Sequence, residues 1–133
     1  MRTRLIVILT MLAAATLMAP VASAATSLAS LKGTWGGTDN GAKPKIQVTI
    51  KLSGGANGST VVLRGGINCS GIETYTGRTP TAFKFQERIL RSASDDCVGL
   101  GWVTLTPRRD GKLRYHWTDG TNTARAVLQR LVL

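Results

Sequence analysis

From position 33 to position 131, apolar and polar residues alternate in short runs, and the runs are separated by Gly, Asn, Asp and Ser. A period of two puts successive side chains on opposite faces of an extended chain, whereas a helix needs a period of 3.6. No stretch after Ala25 sustains the helical period, so an all-β chain of antiparallel strands is expected. The clearest run, residues 45–52, sets Ile46, Val48, Ile50 and Leu52 on one face and Lys45, Gln47, Thr49 and Lys51 on the other. One face is core and the other is wet. The Gly- and Ser-rich segment 53–59 tolerates positive φ and leads into a return strand at 60–64. Further strands are expected at 67–76, 81–89, 100–106, 112–118 and 123–131, with tight turns at 107–111 and at Asp119-Gly120. A short strand around Gly33-Thr34-Trp35 brings the total to eight. Eight antiparallel strands suffice for a small closed barrel or a barrel-like sandwich.

Ahead of this pattern stand Arg2 and Arg4, an apolar run over residues 5–18, and then Pro20 and the small-residue triplet Ala22-Ser23-Ala24. A charged start, an apolar core short for a membrane span and an A-x-A ending have the form of a cleaved export signal over residues 1–24. The expected division is therefore a signal peptide, 1–24, and a single β domain, 25–133, secreted or periplasmic. No transmembrane segment is expected after cleavage, and the domain is expected to be a monomer. Removing 24 of 133 residues leaves 109, enough for one modest core and too few for two. Cys69 and Cys97 are an even pair without a CxxC spacing, and in an oxidising compartment they are expected to form one disulfide. Closing that loop would stabilise the fold by roughly 3 to 4 kcal/mol on the chain-entropy model. A bridge cannot span two strand spacings across a sheet. The expected route therefore folds Cys97 back over one end of the barrel, beside Cys69, through the connection 91–96.

Basic residues outnumber acidic ones 17 to 7, a net charge of +10, of which Arg2 and Arg4 carry two. The chain from Ala25 thus keeps +8, and an exported cation of this strength meets envelope polymers, head groups or acidic proteins rather than intracellular nucleic acid. Arg108, Arg109, Lys112 and Arg114 form a candidate basic patch in one hairpin, extended by Lys84 and Arg88 and joined by His116 and Trp102. Trp102 faces outward if Val103 and Leu105 face the core, and inward if Gly101 marks a bulge; the size of the ring favours core placement.

The candidate chemistry is sparse. Alternation puts Glu87 on the face of Phe83, Phe85 and Ile89, and a carboxylate there needs a partner. Arg130 shares inward parity with Ala126 and Leu128, so a Glu87–Arg130 ion pair beside Trp35 is expected to close one end of the barrel. The functional alternative makes Glu87 a ligand or acid/base group in a barrel mouth. His116, the sole histidine, falls on an outer basic face with no helper for catalysis. Asp95 and Asp96 are neighbours whose side chains point apart on an extended backbone, which does not suit a glycosidase pair. No catalytic residue, metal site or cofactor is expected.

Gly33-Thr34-Trp35 resembles the G-x-W signature of the calycin barrels, the lipocalins and avidins, and implies a floor in which Trp35 lies under a late-strand arginine, here Arg130. A second resemblance runs from Cys69 to Arg130, through Cys69-Ser70-Gly71-Ile72, Phe85-Gln86-Glu87-Arg88-Ile89, Leu113-Arg114-Tyr115-His116-Trp117 and Leu128-Gln129-Arg130. These segments are similar to small secreted bacterial β domains, including the extracellular tails of receptor-like serine/threonine kinases. That resemblance implies fold and location rather than an activity. The function expected is a non-catalytic exported binding module whose basic surface engages an anionic envelope component or an acidic protein. Two alternatives are a hydrolase inhibitor acting through the hairpin 107–112 and a calycin-like carrier of a small ligand.

Overall fold

The structure, a computed structural model, describes residues 27–92 and 97–133. The expected export signal, Asp95 and Asp96 lie outside the described residues. A single 3-10 turn, Leu28–Leu31, is followed by eight strands: β1 (Gly33–Asp39), β2 (Ile46–Leu52), β3 (Asn57–Arg64), β4 (Ile67–Arg78), β5 (Phe83–Ser92), β6 (Leu100–Pro107), β7 (Leu113–Thr118) and β8 (Thr123–Leu131). They close into an antiparallel barrel in which each strand pairs with its neighbours in the chain and β8 returns to β1. Closure leaves no free sheet edge. Among the described residues, no helix is long and apolar enough to cross a membrane.

The alternation does what a period of two predicts. Val48, Ile50 and Leu52 of β2, Phe83 and Phe85 of β5, Val103 and Leu105 of β6, and Leu113 and Tyr115 of β7 all point into the barrel and are buried. Leu105 and Leu128 lose all their exposure, each contributing about 2 kcal/mol of transfer energy. Leu31 plugs one end, brought there by the 3-10 turn, whose first residue is capped by Ser27 accepting from the Ser30 amide.

Strand β3 starts at Asn57 rather than at the expected position 60. Ser53 closes the turn early: its amide and its hydroxyl both donate to the Asn57 carbonyl, at 3.3 and 2.6 Å, while its Oγ accepts from the Gly55 amide. The turn therefore needs only four residues, and Gly58 and Ser59 are free to pair with Leu52 and Lys51. Strand β4 also runs two residues past its expected end, carried through register shifts between Ser70 and Gly71 and between Tyr75 and Gly77. The remaining hairpins follow the turn chemistry. In the β6–β7 turn, Asp110 accepts from the Lys112 amide and from Arg108, and Gly111 has a φ of 78°.

Cys69 and Cys97 are bonded, with Cα atoms 5.9 Å apart. The bridge ties β4 to the β5–β6 connection at one end of the barrel, as the topology requires.

Candidate ligand site at the open end of the barrel

The two ends of the barrel differ. At the end that holds the 3-10 turn, Trp35 of β1 is buried, and its indole N–H donates to the Leu31 carbonyl at 2.8 Å. Arg130 lies opposite it in the β1–β8 register, with its guanidinium 4.3 Å from the centre of the Trp35 ring. The same guanidinium donates to the carbonyls of Lys32 and Ser30. A cation over an indole face and two carbonyl acceptors hold the turn against the barrel. This end is plugged.

That arrangement corrects one expectation. Arg130 does not pair with Glu87, because its charge is spent on the turn carbonyls and the Trp35 ring at the plugged end. Glu87 faces a different group altogether. Its register partner on β4 is Glu73, whose side chain is buried, so two carboxyls meet inside the barrel. Both oxygens of Glu73 and Oε2 of Glu87 are buried and meet no other polar group among the described residues, so the two carboxyls have only each other as hydrogen-bond partners. Burial first, and then the facing Glu87 carboxyl, push Glu73 up to about 10. Glu73 therefore holds its proton at neutral pH. The sequence hides Glu73 between Ile72 and Thr74, in a strand without clean apolar alternation. The signal was available, since counting in twos from Cys69 puts Glu73 on the inward face.

At the opposite end, the connections after β1, β3, β5 and β7 surround an open cavity of about 290 Å³. Its walls are mainly apolar, from Ile46, Val62, Ile67, Ile89, Val98 and Ala124, with the Cys69–Cys97 bridge in the rim. Glu87, Tyr115 and Trp117 line it as polar groups, and Lys43 and Arg64 line it as cations. The Trp117 ring lies across Gly101, the register partner of Glu87 on β6. A Cβ at position 101 would fall inside the indole, so only glycine admits the ring there. The Trp117 Nε1 is buried and lacks a partner among the described residues. Tyr115 is pushed well above the usual phenol range by burial, with the Glu87 and Glu73 carboxyls adding to the effect. Asp39 fastens the β1–β8 seam at this end, accepting from the Arg125 amide at 2.8 Å and from the amides of Gly41 and Ala42. These amides, Arg125 foremost, hold its carboxyl below the usual range.

The basic residues divide into two groups. Arg108, Arg109 and Lys112 sit in the β6–β7 turn at the plugged end, where Arg108 is paired with Asp110 at 2.9 Å. Arg114 and His116 instead stand on the outer wall, where Lys84, Thr104, His116 and Arg125 share one row of the register and Thr106, Arg114 and Val127 the next. Trp102 belongs to this wall, between Gln86 and Thr118, and keeps 46% of its surface exposed. Core placement of Trp102 is thereby corrected: Gly101 makes no bulge, the β5–β6 register runs through it unbroken, and inward parity falls to Gly101 and Val103. Arg88 joins the wall beside Leu100 and Ile72. Among the described residues, no outward position of β5 to β8 carries a carboxylate, and no group of three His, Cys, Asp or Glu side chains could hold a metal ion.

Compared with protein-family models, with curated proteins and with solved structures, the chain matches none.

Proposed function

We propose that this chain is a non-catalytic exported barrel that takes a small molecule into its open end. The observation that carries the reading is the asymmetry of the barrel: one end is plugged, and the other opens on a cavity of about 290 Å³ that reaches the buried carboxyl of Glu87. A concave apolar chamber with a few convergent polar groups is the usual form of a small-ligand site. Arg130 stacked on Trp35 supports the same reading, since calycin-like barrels carry such a floor beneath their chamber. The test is native mass spectrometry of the domain purified from its own export fraction, alongside Ala124→Phe, which fills the mouth. A bound mass that disappears in Ala124→Phe, with the melting temperature maintained, is expected. A wild-type domain that carries no added mass, and whose melting is unmoved by a library of small compounds, would overturn the reading.

A second reading rests on the outer wall of β5 to β8. Lys84, Arg88, Arg114 and Arg125 share this wall with the exposed Trp102, with no carboxylate among them, which suits an anionic polysaccharide whose sugar faces stack on an indole.

A further inference from the structure

We infer that the open cavity takes a small organic monocation, an amidinium or primary ammonium group on a compact apolar body, with Glu87 as its charge partner. The inference rests on the ligand-binding reading and narrows it. Its basis is the buried carboxyl that Glu87 presents to the cavity. Glu87 is buried and is the acidic residue that lines the cavity, and its Oε2 meets no donor among the described residues other than the proton of the facing Glu73, while Nε1 of Trp117 beside it is also unpaired. A ligand N–H group directed at the Glu87 carboxyl gains a charge-assisted hydrogen bond there, whereas a carbonyl would set a second acceptor against it.

Charge points the same way. Because Glu73 keeps its proton at neutral pH, the pair carries at most one negative charge, and Glu87 is the member that lines the cavity. One positive charge neutralises it; two would leave a buried cation unpaired. Lys43 and Arg64 also line the cavity but are exposed to solvent, so salt and water screen them, whereas Glu87 is buried. The apolar walls of Ile46, Val62 and Ile89 limit the rest of the ligand to a hydrocarbon body.

The experiment is titration calorimetry of the wild-type domain with benzamidine, with benzamide as its neutral isostere and with benzoate as the anion. Benzamidine is expected to bind about tenfold or more tighter than benzamide, and benzoate not to bind. Glu87→Gln is expected to bring benzamidine and benzamide within about twofold of each other, whereas Glu73→Gln, an isostere of the protonated acid, keeps the preference. Should Glu87→Gln fail to fold, Ala124→Phe serves instead and is expected to abolish all binding. Equal binding of benzamide and benzamidine by the wild type overturns the ligand class and leaves the small-molecule reading standing. A preference for the cation that survives in Glu87→Gln or Ala124→Phe overturns the site. If none of the three compounds binds, the monocation inference falls, and the mass-spectrometric test then decides whether the chamber holds any ligand.

Discussion

Trp117 occupies the space that any side chain at position 101 would need, and Glu73 holds a proton that an ordinary carboxyl gives up. Both residues cost the fold something that a purely structural core would not. Glu73 makes the cost measurable. Its folded value is raised to about 10 from an ordinary 4.5, so below about pH 4.5 both states are protonated and nothing is lost. As the pH rises above that, the unfolded chain ionises while the folded one does not, and stability falls until the pH reaches the folded value. Glu73→Gln removes the ionisation. In chemical denaturation at pH 8 this variant is expected to be more stable than the wild type by about 1 to 3 kcal/mol. At pH 4 the two should be nearly equal. Parallel pH profiles for the two proteins would show that Glu73 is not held neutral by the barrel.

Among the elements, the strands were largely legible and the contacts between non-neighbours were not. Strand β8 occupies 123–131 as alternation dictates, because its turn and its inward Ala124, Ala126 and Leu128 agree. The start of β3 was misplaced because Gly58 and Ser59 read as turn residues, and only the Ser53 hydrogen bonds reveal that the turn closes sooner. Parity gave Glu87 and Arg130 their inward direction, yet parity carries no information on height along the barrel. Arg130 lies at the plugged end with Trp35, and Glu87 lines the open cavity. Trp102 was misjudged for the opposite reason, since bulk favoured burial while register put the ring outside. The Cys69–Cys97 bridge was legible from topology, and it closes a span of 28 residues beside the cavity. A Cys69→Ser, Cys97→Ser double variant is expected to lose about 3 kcal/mol in urea denaturation. An unchanged midpoint would mean that the ladder alone fixes this end.

For the molecule as a whole, the distribution of charge matters more than its total. The turn arginines that seemed most prominent in the sequence sit at the plugged end, and Arg108 is neutralised by Asp110. The side chains that gather on one surface are those of the β5–β8 wall. If an anionic polysaccharide binds there, Arg114→Glu with Arg125→Glu should elute from a heparin column at several-fold lower salt than Arg108→Glu with Arg109→Glu. Equal elution of the two variants would leave only diffuse attraction. The way the barrel closes has one more consequence. Thr34 of the first strand pairs with Leu131 of the last, so the described chain both enters and leaves at the plugged base. A passenger protein or surface tether joined after Leu133 would hang from the bottom of the cup and keep its brim clear, whereas the same cargo spliced between Asp119 and Asn122 would stand across the doorway.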